Sequence, residues 1–410
     1  MTDNQGGVLS AEQFAQELIE ALRRAGEERE IRYDAEQFQL HVSGGGFLNL
    51  SNMYRSFCDA AEEDRPKVLQ TAVRSWCSQS FEMPQEFGDA RPDIYPSVRS
   101  RSYFEFARLQ AQVHGAGGGP EPPTKPLADH LAIGLVYDLP SAMRSITASD
   151  LEAWGISFYE ALEAACENLA KMPFRVSQTE TGVYIIATGD SYDASRLLLL
   201  DLFDFEFAGH PVAMVPNREL LLVTGSEDTE GLAMLAAIGE EALQQPRSIS
   251  GRVVQSHDGD WSTWLPPSDH PSFQGLSKLV LKSDYQDYSE QKELFDAIAE
   301  REGSTSFTST FSAVETKSGL FFSYCLWNEG SDLLLPQTDI IVFGRPSAPD
   351  EKGDRKVEIV ASGSWQKVSA ICGERLEPTD HYPMRYRARS FPTAAELVKI
   401  GHDPRLGGVR

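Results

Sequence analysis

Apolar residues recur along the first stretch of the chain with a helical period. Phe14, Leu18, Ile19 and Leu22 mark one face of a helix. Ser10 with Gln13 reads as a capping box at its start, and Gly26 as its stop. The period then shortens. Residues 36–50, EQFQLHVSGGGFLNL, read as two short strands around SGGG, whose glycines accept the positive φ of a hairpin turn. No Gly-Lys-Ser/Thr follows, so this is not a phosphate loop. A second helix is expected over 65–79, capped by Asp64, with Val68, Leu69, Ala72, Val73 and Trp76 on one side.

The stretch GAGGGPEPPTKP (115–126) interrupts the pattern. Glycine flexibility followed by proline stiffness reads as a linker between two subdomains, with a long surface loop inside one domain as the alternative. Beyond it, LAIGLVYDL reads as a buried strand and FYEALEAACENLAKM as an amphipathic helix with Leu162, Cys166 and Leu169 on one side. GVYIIATG is a strand, and four consecutive leucines (197–200) read as a helix buried nearly all round. HPVAMVP and ELLLVTG bracket a PNR turn, and Asp228 caps a helix running to about Leu243. Residues 257–275 are turn-rich. YSEQKELFDAIAEREG follows as a helix ending at Gly303, and then come several β-rich runs that predict a largely antiparallel sheet. Thr393 and Glu396 form a capping box for a last short helix.

These elements predict an α+β fold with mixed and antiparallel sheets. The expected divisions are an N-terminal subdomain at 8–114, the linker at 115–126, a central subdomain at 127–270 and a β-rich module at 276–410. A length of 410 residues suits two or three domains.

Charge narrows the classes of function. The formal net charge is −24. A field of that sign repels nucleic-acid phosphates and anionic membrane surfaces, so neither partner is expected. No run approaches a membrane span, and the first residues lack a secretory pattern. Five cysteines, odd in number and widely spaced without CxxC, predict reduced thiols in the cytoplasm. No GxGxxG follows a strand, and no cofactor is expected. His257, Asp258, Asp260, Asp269 and His270 crowd one segment, but their spacing fits neither HExxH nor an EF-hand, so no metal site is expected.

Four segments resemble a known bacterial family in letters, order and spacing. They are IYPSVRSRSY (94–103), ACENLAKMP (165–173), GDSYDASRLLL (189–199) and VPNRELLLV (215–223). The family is the YtpQ-like proteins, of unknown function, and the resemblance covers roughly residues 10–270. The run Tyr192–Asp193–Ala194–Ser195–Arg196 is its most specific part. The resemblance implies a soluble bacterial cytoplasmic protein and carries no catalytic role over to any residue.

GDSYDASRLLLL (189–200) admits two readings. In the first, Asp190 or Ser191 caps a buried helix and Asp193 favours its dipole. In the second, the helix start opens onto a ligand site, with Arg196 offering a forked charge to a carboxylate or phosphate. Tyr95, Arg99, Ser100 and Ser102 from the first subdomain are the natural companions of Tyr192, Asp193, Ser195 and Arg196, together with Asn217 and Arg218 from the PNR turn. The leading function is binding of a protein partner or a small anionic ligand. The alternative is a hydrolase-like enzyme using a cleft around Arg99 and Arg196, although no GxSxG elbow occurs.

Overall fold

The first helix begins where its capping box places it. The computed structural model describes residues 9–43, 47–77, 82–115, 122–139, 142–316, 321–330, 332–346 and 357–408. In it Ser10 accepts from the Gln13 amide while the Gln13 side chain accepts from the Ser10 amide, and α1 spans Ala11–Arg24. Phe14, Leu18 and Leu22 are fully buried. They pack against a three-stranded antiparallel sheet, β1 (Ile31–Asp34), β2 (Gln39–Val42) and β3 (Phe47–Asn49), and against α2 (Ser51–Asp59) and α3 (Arg65–Cys77). The three glycines of the expected hairpin turn lie outside the described residues. This unit closes its own core by residue 77, earlier than the boundary after residue 114 that the sequence suggests.

The next unit holds two sheets. In the first, after the short α4 (Phe87–Ala90), β4 (Ile94–Ser100) pairs antiparallel with β6 (Leu131–Leu139), from Ile94 opposite Tyr137 to Ser100 opposite Leu131. Between them in sequence lie α5 (Arg101–Val113) and β5 (Lys125–Pro126), which also pairs with β6. The strands flanking the glycine–proline stretch are therefore partners in one sheet, where the sequence reads a join between subdomains. The physical reason is that each strand is buried and needs a ladder partner for its backbone. Of the stretch itself, residues 116–121 lie outside the described residues. β7 (Ala142–Ser145) extends the sheet, and α6 (Ala148–Trp154) and α7 (Phe158–Lys171) cover its outer face through Leu151, Ala161 and Ala165.

The second sheet is antiparallel throughout, in the order β13-β12-β10-β11-β9-β8. Its strands are β8 (Val176–Gln178), β9 (Tyr184–Ile186), β10 (Pro211–Asn217), β11 (Leu220–Gly225), β12 (Val253–His257) and β13 (Asp260–Trp264). Alternation along β10 and β11 assigns two faces. Ala213, Val215, Leu221 and Val223 face Val98, Leu131 and Ile133 of the first sheet. Val212, Met214 and Leu222 face α8 (Thr229–Ala242) and α9 (Phe273–Glu302). The leucine run sits between the sheets as a 3₁₀ helix, Ala194–Leu202, where the sequence suggests an α-helix. Three residues per turn align Ala194, Leu197 and Leu200 in one row, and all three belong to the core between the sheets.

α9 is about twice as long as the helix read over 288–303, because its first half carries Leu276 and Leu279 onto the second sheet. It ends at Gly303 in the left-handed conformation, φ 64°, as expected. The C-terminal module follows with β14 (Phe307–Thr308), β15 (Ser312–Glu315), β16 (Phe321–Asn328), β17 (Leu333–Pro336), β18 (Ile340–Pro346), β19 (Val357–Ser364), α10 (Trp365–Cys372), β20 (Glu377–Pro378), β21 (Arg385–Ala388) and α11 (Ala394–Ile400). Its sheets are mixed rather than purely antiparallel, since β16 pairs parallel with β18 and β14 with β17. The module docks through α9, where Phe295 and Leu334 pack on Phe106 and Leu109 of α5. The architecture is α+β. Among the described residues no helix is long and apolar enough to cross a membrane.

Candidate functional site

Three distant segments meet where the 3₁₀ helix begins. The Val98 amide of β4 donates to the Ser195 hydroxyl at 3.1 Å. The Ala194 amide donates to the Arg218 carbonyl in the β10–β11 turn at 3.3 Å. Main-chain contact thus gathers the candidate segments, but their side chains divide into three groups.

The first group is a closed lock. Arg196 is 1% exposed. Its Nη1 donates to Asp190 and Asp193, each at 3.0 Å, and its Nη2 donates to Asp190 at 2.6 Å. Nη2 also reaches the Pro173 carbonyl at 3.4 Å, and the guanidinium lies over the Phe174 ring. Asp193 is fully buried and also accepts from the Thr188 and Gly189 amides. Asp190 accepts from the Tyr192 amide. Burial alone would raise the Asp190 pKa, but the hydrogen bonds from Arg196 and Tyr192 hold it below the usual aspartate value. Neither Asp190 nor Ser191 caps the helix, because the chain turns back through Gly189 and Ser191, both at positive φ, and aims both carboxylates at Arg196. Of the two readings of residues 189–200, the one that leaves Arg196 open to a ligand is corrected on this ground. Tyr192 lies against Tyr95 at 4.9 Å and is 2% exposed, and burial together with the neighbouring Asp138 carboxylate pushes the pKa of its hydroxyl up. Ser195 is fully buried.

The second group faces α9. Ser100 caps α5 by accepting from the Tyr103 amide at 3.2 Å. The Ser102 hydroxyl contacts Ser100 at 3.0 Å and donates to Asp287 at 2.9 Å. Arg252 bridges Asp287, at 3.0 Å, and Asp284. These serines therefore serve a buried polar network at the α5–α9 junction, away from the neighbouring Arg99.

The third group is positive and poorly compensated. Arg99 donates to the Val98 carbonyl at 2.7 Å and has no ion pair among the described residues. Burial lowers its pKa, and the Arg247 charge lowers it further. Among the described residues, Arg218 meets a carboxylate only at Glu219, 3.8 Å away, and its Nε is buried without an acceptor. Burial and the charges of Arg247 and Arg99 bring it down to about 10. Arg247 pairs with Glu219 at 2.7 Å. Tyr103, about half exposed, stands near both Arg99 and Arg218.

Asn217 explains how Arg247 comes to this place. Its side chain accepts from the Glu219 amide and reaches Gln245, its backbone bridges to Ser248, and Ile249 donates to the Pro216 carbonyl. These bonds lay residues 245–250 beside β10. Arg247 itself takes φ 63°, an uncommon conformation for a residue with a side chain. Sequence reasoning missed Arg247, and the only trace was the polar–apolar alternation of Ser248, Ile249 and Ser250. Arg218 and Arg247 share the Glu219 carboxylate, and with Arg99 close by they form a local positive field in an acidic protein, with donors suited to an oxyanion.

The other candidates resolve into structural roles. His257 and Asp260 belong to the β12–β13 hairpin, while His270 contacts Thr229. Among the described residues, no three His, Cys, Asp or Glu gather at metal distance. Trp327 is in the module core, and Trp261 and Trp264 are partly buried on the second sheet.

No family model and no solved structure matches the chain. It is similar to a UPF0354 protein of Listeria innocua, 24% identical over 221 residues, covering 51% of this chain and 77% of that protein. A UPF0354 protein of Listeria welshimeri is 26% identical over 222 residues with the same coverage. One from Listeria monocytogenes is 31% identical over 117 residues, 26% of this chain and 44% of that protein. The homologues of this chain are UPF0354 proteins, a bacterial family of unknown function.

Proposed function

We propose that this chain is a binding protein that holds a small ligand by a carboxylate or phosphate group between Arg99, Arg218 and Arg247. The carrying observation is Arg218. Its cation is desolvated, opposed by two like charges and left with a buried Nε that has no acceptor. An unmet buried donor costs about 1–3 kcal/mol. A bound oxyanion would supply the acceptor and cancel the repulsion, and a guanidinium fork suits it geometrically. The Arg218 side chain is only 20% exposed, which favours a small anion over a flat protein surface. Asn217 and Tyr103 would shape the site. On the same reading this is a YtpQ-like protein of the bacterial cytoplasm, and the free thiols of Cys58, Cys166, Cys325 and Cys372 support a reducing compartment. Nothing in the lock around Ser195 and Arg196 favours the hydrolase-like alternative.

Calorimetric titration with inorganic phosphate and with citrate tests this. Binding of at least one anion is expected, weakened about tenfold or more in Arg218→Gln, since a forked charge-assisted contact contributes more than 1.4 kcal/mol. If the parent protein binds neither anion, or if Arg218→Gln binds as tightly as the parent, the site is not an anion site.

A further inference from the structure

A cavity of about 610 Å³ lies between α9 and the C-terminal module, in the size range of small-molecule sites. Phe273, Phe321, Trp365 and Tyr382 give it aromatic walls. Asp129, Asp284 and Asp339 also line it. Its two arginines are already committed. Arg252 is shared by Asp284 and Asp287, and Arg101 donates to the Asp129 carbonyl at 2.9 Å while lying over the Tyr382 ring at 4.3 Å. Asp339 is held by the Ser323 amide and hydroxyl at 2.7 and 2.8 Å and has no ion pair among the described residues. Arg101 also pairs with the Asp129 carboxylate at 3.8 Å, so Asp339 is the one lining carboxylate without an ion pair among the described residues.

A second observation is independent of the acids. Ser277 also lines the cavity, and its hydroxyl oxygen is buried without a hydrogen-bond partner. Ser277, Val280, Leu281 and Asp284 fall at the spacing of one helical face, so α9 turns an apolar strip and a carboxylate toward the same space. Burial raises the Asp284 pKa despite its pair with Arg252, and the neighbouring Asp339 and Asp129 charges add to this, a cost that a cation would reduce.

We infer that this cavity binds a small organic cation, an amine or guanidinium on an apolar body. Its charged head meets Asp284 and Asp339, and its body lies among Phe273, Phe321 and Trp365. Aromatic faces and carboxylates together favour such a head group over a neutral one. This site stands apart from the arginine cluster and does not depend on it.

The test is calorimetric titration of the full chain with 2-phenylethylamine and agmatine, and with 2-phenylethanol as the neutral counterpart. At least one amine is expected to bind with a Kd below about 1 mM, with the alcohol at least tenfold weaker. Asp339→Asn should weaken the amine about tenfold or more. Ser277→Phe, which fills the cavity from α9 without changing any charge, should abolish binding while circular dichroism shows the fold retained. Absence of amine binding by the parent protein overturns the inference. So does equal binding of the alcohol, or undiminished binding by Ser277→Phe. Should Asp339→Asn fail to fold, the cavity-filling variant and the neutral probe still decide.

Discussion

Arg196 and Arg218 lie on two segments joined by one contact, since Ala194 of the 3₁₀ helix bonds the Arg218 carbonyl. Their surroundings are opposite. Arg196 is ringed by Asp190 and Asp193, whereas Arg218 faces Arg99 and Arg247 and has an orphaned Nε. Arg385 in the C-terminal module separates the two ideas that this contrast mixes. It is fully buried, and among the described residues it has no carboxylate partner. Yet it donates to the Gln291 side chain and to the Ser309, Leu334 and Tyr288 carbonyls. Burial brings Arg385 down to about 10, the same value as Arg218. An uncompensated charge therefore does not mark a site by itself. Arg218 differs from Arg385 in joining an unmet donor to two like charges.

The strongest way to break the comparison is to remove Arg196. Arg196→Leu leaves Asp193 buried with an unpaired charge, which costs about 3–5 kcal/mol of unfolding free energy by urea titration. A loss under about 1 kcal/mol would mean that Asp193 finds other compensation and that the lock is not a structural unit. Arg385→Met comes next. It strips several carbonyls of their donor while removing a desolvated charge, so a loss of about 2 kcal/mol is expected in the same assay. No loss would show that carbonyl satisfaction counts for little here.

Arg218→Gln should move the other way. A base whose pKa is lowered by folding is penalised wherever the folded state must carry the cation. At pH 7, far below about 10, that penalty is fully present. Relieving it, discounted for the exposed part of the side chain, should raise stability by about 1 kcal/mol in thermal melts without ligand. A destabilisation similar to that of Arg385→Met would place Arg218 among the structural arginines and remove the contrast.

These differences were unevenly legible in the sequence. α1 and α11 were read correctly because Ser10 with Gln13, and Thr393 with Glu396, are local signals confirmed within one turn. The spacing of Asp193 and Arg196 was visible too. The turn of both carboxylates onto Arg196 was not, because it depends on positive φ at Gly189 and Ser191. Four leucines in a row have no amphipathic period, so their 3₁₀ form is imposed by the two sheets that enclose them. Arg247 was out of reach for another reason. Its position follows from the Asn217–Ser248 bridge, a pairing between residues far apart in the chain. Proximity of β4 to the PNR turn was inferred from shared polar character, but which arginines would be spent on carboxylates is a tertiary outcome.

The smallest expected effect comes from pH, and its two limbs should report the two regions separately. Asp190 has a folded pKa below 3.8, so its contribution is present above that value and is lost as pH falls through the folded pKa. Glu105 behaves alike: burial raises its pKa, but hydrogen bonds from His381 and Arg108 outweigh this and bring it below 4.5. Acidification below about pH 4.5 should therefore weaken the lock and the docking of the C-terminal module, each by under about 1 kcal/mol because both carboxylates are partly solvated. Asp190→Asn should flatten the Asp190 share of that slope. The arginine cluster should be silent there. Its titration belongs to the alkaline limb, where the stability gap between Arg218→Gln and the parent protein should close as pH rises through about 10. A gap that stays constant across that range would show that the substitution acts through packing rather than through the charge of Arg218, and the distinction between the two regions would then rest on hydrogen bonding alone.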